Sequence, residues 1–194
     1  MRLLASASIM GLAMAASVAP AAPAPALAPA SWSVEKAHSS LGFQGTVSGA
    51  AFTGAFRRWD ASIRFDPRAL AQSSVLATIS MGSATTGDPS RDSALPGGDW
   101  FAVQSFPRAT FEAHGFKALG GNRFQTSGTL TIRNVQRPLS FPFQLDVAGT
   151  RAHMRATIAI DRRAFGVGQG QYASTDLVGG NVQVRIDLWA TRLP

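Results

Sequence analysis

The chain has no cysteine, a single tyrosine and only three histidines in 194 residues. Without cysteine there is no disulfide, no thiolate metal site and no lipidated cysteine anchor, so packing must supply the stability. His38, His114 and His153 stand far apart with no metal-ligand spacing, which argues against a zinc or copper site. Charge is scarce as well. Asp, Glu, Lys and Arg make up 15% of the residues, and 18 basic against 11 acidic side chains give a net charge of +7. The arginines are scattered, most of them singly as at Arg123, Arg133, Arg155 and Arg185, rather than in a stripe interleaved with aromatics. Nucleic acid is therefore not an expected partner. Attraction of this basic surface to anionic headgroups at a membrane stays open.

Long apolar runs are also missing after residue 30, where charges, glycines and polar side chains interrupt every segment before it reaches bilayer-spanning length. Residues 1–30 differ. Arg2 is followed by a small, apolar, uncharged stretch from Leu3 to Val18, then by an Ala/Pro run with small-x-small sites at Ala24-Pro25-Ala26 and Ala28-Pro29-Ala30. This reads as a cleaved export signal and a spacer, in preference to a membrane anchor, because the stretch is Ala-rich and near the lower limit for a span. Export without cysteine fits the bacterial periplasm. Residues 31–194 then form one domain of ordinary size.

What the chain has in abundance is strict alternation. Trp59, Ala61, Ile63 and Phe65 share one parity while Arg58, Asp60, Ser62 and Arg64 take the other. The same split recurs over Leu139–Val147, Ala152–Ile160 and Val182–Leu188. Side chains alternate faces along a strand, so each segment has one apolar face to hide. Strands are expected near 32–34, 40–47, 54–65, 74–81, 109–117, 122–133, 137–148, 152–161 and 181–191. Asp66-Pro67 stops one of them, and Gly120-Gly121-Asn122 and Arg133-Asn134 supply hairpin turns. Successive hairpins favour a meander closing on itself, with a sandwich as the other solution. Pro142 lies mid-strand on the outward parity, where it requires a bulge or a gap in the pairing.

One segment breaks this rhythm. Asp88 precedes Pro89 as an N-cap, and Gly97-Gly98 follow Leu95, which predicts a short helix inside a loop from 82 to 105. Trp100 and Phe101 in it, with Phe106 just beyond, are too apolar to float free, so the loop is expected to cover one end of the fold as a lid or a fixed plug. Arg91 and Asp92 either orient a ligand headgroup at that mouth or fix the loop by local hydrogen bonds. Catalysis finds little support: Ser39 and Ser40 adjoin His38, but there is no nucleophile elbow and no pair of acid/base groups converges.

The order Arg91-Asp92 with Leu95, Asp99-Trp100-Phe101 and Phe106-Pro107-x-Ala109-x-Phe111 resembles the YceI-like proteins. So do Gly128-x-Leu130-Thr131-Ile132, Val135-x-Arg137-Pro138, and Asp161-Arg162 followed by Phe165-Gly166-Val167-Gly168, as does the opening from Trp32 to Phe43. Asn134 stands where relatives commonly carry glycine. The resemblance implies an all-β fold: an extended antiparallel, lipocalin-like (up-and-down) β-barrel of about eight strands with a short helix in an inserted loop. It implies a periplasmic protein that binds an isoprenoid lipid, either a polyprenyl phosphate or an isoprenoid quinone, with no further cofactor and no catalytic residue. Gln169-Gly170-Gln171-Tyr172 resembles members associated with membrane cytochrome b, which places a transient contact with the inner membrane or such a cytochrome among the possible partnerships. The expected tunnel wall is Trp59, Ile63, Phe65, Ile79, Phe111, Phe124, Leu130, Phe143, Met154, Ile158, Val184 and Ile186. By the residues alone, the same set fits a dry, self-packed core equally well.

Overall fold

The computed structural model describes residues 28–194, so the expected export signal and most of its spacer lie outside the described residues. Ala30, the last residue of that spacer, already belongs to the fold, because its carbonyl accepts the Phe65 N–H at 2.9 Å.

Eleven strands among the described residues form eight antiparallel staves. β1 (Ser31–Val34) and β2 (Ser40–Val47) make one bent stave, β3 (Ala50–Phe56) and β4 (Trp59–Arg64) the next, and β5 (Ser74–Ser80) with β6 (Ala84–Thr85) the third. The pairings β1–β4, β2–β3, β4–β5 and β3–β6 establish this arrangement. β7 (Arg108–Gly120), β8 (Arg123–Ile132), β9 (Val135–Ala148), β10 (Arg151–Asp161) and β11 (Asn181–Arg192) complete an up-and-down meander. β11 pairs with β2 and with β1, which closes the sheet. The apolar faces therefore turn into a barrel, and the sandwich is excluded.

Ala50–Thr53 and the two-residue β6 lie outside the expected strands, because glycine, serine and threonine weaken the alternation there. The bends have local causes. Where the β4 ladder breaks, the Ser83 hydroxyl accepts the Arg58 N–H and donates to the Ser80 carbonyl, so no backbone group is orphaned. Ser39 does the same between Glu35 and Trp189, while His38 bonds Glu35 instead. Neither residue is arranged as a nucleophile and base. Arg133 and Asn134 both take positive φ, 51° and 60°, the mirror-image turn that matches the strands' twist. Gly128 has a different reason: a Cβ there would meet the Glu112 carbonyl and Ala113 backbone, beside the bulge between Ala113 and Gly115.

Two apolar clusters plug the barrel's ends. At the end where β9 meets β10 through a tight turn, Trp32, Phe65, Phe124, Phe143, Leu188 and Ala190 pack together. Phe65 meets Phe124 edge-on at 5.8 Å, and the Trp32 indole donates to the Phe65 carbonyl. At the opposite end Leu130, Phe165 and Val167 gather Trp100, Phe101, Ile132, Val135 and Leu139 around them.

Candidate functional site: an apolar cavity between two plugs

Between these clusters the barrel encloses a cavity of about 210 Å³. Among the described residues its wall carries no titratable side chain and one hydroxyl, that of Thr126, which donates to the Gly115 carbonyl at 3.2 Å. The register explains why space is left. Ala61, Ala77 and Phe111 align across β4, β5 and β7, and Ile79 faces Ala109 as Val75 faces Ala113, so small inward residues recur beside large ones. Inward residues in mid-barrel, such as Trp59, Ile63, Ile79, Met154 and Ile186, keep intermediate exposure, whereas those of the end plug are buried. No large side chain among the described residues is fully buried. A dry jigsaw core would bury them.

Eleven of the twelve expected wall residues line this cavity: Trp59, Ile63, Phe65, Ile79, Phe111, Leu130, Phe143, Met154, Ile158, Val184 and Ile186. Phe124 does not. It is stacked on Phe143 at 5.6 Å within the end plug. Lining residues absent from the expected wall include Phe56, Met81, Phe141 and the alanines. Phe141 shares the parity read from the sequence, but an alanine is too small to stand out as wall.

The inserted loop holds the expected helix, α1 (Pro89–Ala94), with Asp88 accepting the Arg91 N–H at 2.9 Å. Arg91 and Asp92 fix the loop and do not line the cavity. Asp92 accepts from the Thr85 hydroxyl and from the Thr86 N–H and hydroxyl, and Arg91 reaches Asp88 and lies over the Phe52 ring. Phe101 joins the end cluster and meets Phe56, a wall residue, at 6.0 Å. Trp100 packs on Tyr172 at 4.9 Å, and Phe106 lies under the Arg133 guanidinium and does not line the cavity. Phe101 and Trp100 thus pack on the end cluster, and neither lines the cavity.

These hydrogen bonds hold the Asp92 carboxyl at about 2, chiefly through the Thr85 and Thr86 hydroxyls. A depressed folded-state value adds stability above the unfolded value and loses it as pH falls through the folded one. Protection of the amides over 84–95, taken relative to the intrinsic exchange rate at each pH, is accordingly expected to fall in one step between about pH 4 and pH 2. Asp92→Asn should abolish that step; an unchanged step would place the acid sensitivity elsewhere.

A residue whose role the sequence did not announce secures the same end. Arg162 is 4% exposed and has no carboxylate on its guanidinium. Instead it donates to the carbonyls of Val167, Gly168, Tyr172, Ser174, Val178 and Gly179 at 2.7–3.1 Å. Burial, then the Arg163 charge, lowers its pKa. Gly168, at φ 77°, is glycine because a Cβ there would strike this guanidinium. The segment from 162 to 180 is thus wound around one cation, and it carries Phe165 and Val167 into the end cluster. Arg162 continues the inward parity of β10, a signal that marks it as an arginine facing inward.

A closed eight-staved meander around an apolar cavity defines a lipocalin-like binding barrel. The YceI-like domain model matches residues 32–190, and the chain belongs to that family. It is 25% identical over 157 residues to a UPF0312 protein of Vibrio cholerae, covering 76% of this chain and 83% of that protein. A UPF0312 protein of Pseudomonas aeruginosa is 30% identical over 120 residues, 59% of this chain and 62% of that one. Among solved structures, BcnA of Burkholderia cenocepacia is 31% identical with a TM-score of 0.78, covering 81% of this chain and 99% of its own. A polyisoprenoid binding domain from Saccharophagus degradans shares the fold at a TM-score of 0.69 and 15% identity, covering 84% and 99%.

Proposed function

We propose that this chain is a periplasmic binding protein that holds an isoprenoid lipid, a polyprenyl phosphate or an isoprenoid quinone, by its tail in the barrel cavity, as carrier or store and without catalysing a reaction on it. The observation that carries this reading is the wall itself, wholly apolar on its inner surface and incompletely filled by its own side chains. A buried methylene contributes about 0.8 kcal/mol, so an isoprene unit contributes on the order of 3 kcal/mol. Association costs about 4–15 kcal/mol, so several units must enter before binding is tight. The fold's likeness to a polyisoprenoid binding domain agrees with such a tail. In the Gln169–Tyr172 run, the basis for a contact with a membrane cytochrome, the Tyr172 ring packs on Trp100 and its carbonyl accepts from Arg162, while Gln169 and Gln171 are exposed.

Ala77→Trp tests the cavity. It fills space beside Ala61 and Phe111 and should lower affinity for a polyprenyl lipid at least tenfold while melting within a few degrees of wild type. Retained affinity would show that the tail binds elsewhere. The export half of the proposal is tested separately: N-terminal sequencing of the protein from its host should give a start between about residues 20 and 31. A start at Met1 or Arg2 would overturn the compartment.

A further inference from the structure

The barrel wall has one long unladdered seam. β9 and β10 pair from Ala148/Arg151 to Gln144/Arg155 and no further. Yet β9 stays paired with β8 as far as Val135/Ile132, and β10 with β11 as far as Asp161/Asn181. Residues 135–143 and 156–161 therefore border each other without a ladder. Pro142 belongs to this border, where its missing N–H leaves no gap in a ladder.

Arg137 stands at the rim of that seam on a position meant for the interior. Its cross-strand partner is Leu130, a cavity-lining residue, and cross-strand partners share a face with Cβ atoms about 5 Å apart. Val135 and Leu139, its neighbours of the same parity, pack in the end cluster. Arg137 itself is exposed, so solvent reaches this inward position where no β10 backbone lies alongside. No carboxylate of the described residues pairs with it. The other cations at this end are differently placed: Arg162 is held by carbonyls, Arg163 by Asp161, Arg91 by Asp88, and Arg133 by the Gly98 and Trp100 carbonyls. Arg58 and Arg108 flank Ser80 on the outer face.

We propose that the β9–β10 seam is the lateral mouth of the cavity and that Arg137 binds the headgroup of the ligand there, which makes that ligand an isoprenoid carrying a phosphate rather than a neutral quinone. This rests on the reading of the cavity as an isoprenoid site. A guanidinium beside apolar wall donates a charge-assisted hydrogen bond to a phosphate oxygen, and has no comparably charged acceptor in an alcohol or a quinone carbonyl.

The test is a tryptophan-fluorescence titration of delipidated protein with a polyprenyl monophosphate, the polyprenol of the same chain length, and an isoprenoid quinone. Wild type is expected to prefer the phosphate to the polyprenol and to the quinone about tenfold, a preference that shrinks with added salt. Arg137→Gln should bring that ratio close to one, and Arg137→Lys should keep part of it. A preference that survives in Arg137→Gln, or its absence from wild type, overturns the proposal. Inorganic phosphate alone should not displace the phosphate lipid; displacement would assign Arg137 to a free anion and overturn it too. If the polyprenol and quinone bind but the phosphate is not preferred, the cavity reading stands without this one. If none of the three lipids binds, both fall.

Discussion

Replacing Ile158 by Asp is expected to unfold the barrel or empty it, while Thr157→Asp, one residue away, leaves melting and lipid affinity near wild type. Ile158 is 6% exposed, faces the cavity and is paired with Val184 of β11, another wall residue. A carboxylate there has no donor within an apolar wall, so it must take up a proton or bring water inside. Together with the lost aliphatic contacts this costs about 4 kcal/mol or more, a large part of the 5–15 kcal/mol that ordinarily separates folded from unfolded domains. Thr157 lies exposed on the outer face, and its cross-strand partner is Arg185, so an aspartate there gains a favourable neighbour. Thermal denaturation followed by circular dichroism separates the two variants. Similar melting of both would mean that β10 does not have one wet and one dry face.

Replacing Arg162 by Met should be nearly as damaging, and for a different reason. Methionine restores much of the aliphatic volume but strands six carbonyl oxygens that the guanidinium now satisfies. Breaking such a buried arrangement costs about 3–5 kcal/mol, which for a domain of this size lowers the melting temperature by roughly 10 °C. Because the segment it organises delivers Phe165 and Val167 to the end cluster, lipid affinity should fall as well. Arg162→Lys should rescue little, since three donors on a flexible stem cannot reproduce a planar fork. A Lys variant with wild-type melting would show that charge alone, not the fork, holds this segment.

Much of this structure was legible before folding because a strand's parity is a local property. Trp59–Phe65, Leu139–Val147, Ala152–Ile160 and Val182–Leu188 declared their inner faces one residue at a time, and Arg133-Asn134 and Asp88-Pro89 declared the turn and the helix. The remaining features depend on what stands opposite. Ala61, Ala77 and Ala109 create the cavity only because the register aligns them with one another or beside Phe111 and Ile79. Pro142 announced a gap in the pairing beside it, but not that the β9–β10 ladder stops at Gln144/Arg155 and leaves the rest of both strands without one. Arg137 and Arg162 both continue an inward parity, a sign present in the sequence that composition alone conceals. Arg91 and Asp92 illustrate the opposite case: a charged pair expected at a mouth, whose hydrogen bonds are directed into its own loop.

The cavity is expected to be occupied by an isoprenoid tail in the cell. The most direct measurement is mass spectrometry of lipid extracted from the protein purified gently from its native host, alongside Ala77→Trp prepared identically. Close to one equivalent of a single isoprenoid class is expected on the wild-type protein and little on the variant. A wild-type protein that yields no lipid, or only the membrane's ordinary acyl lipids in the same amount as Ala77→Trp, would contradict it.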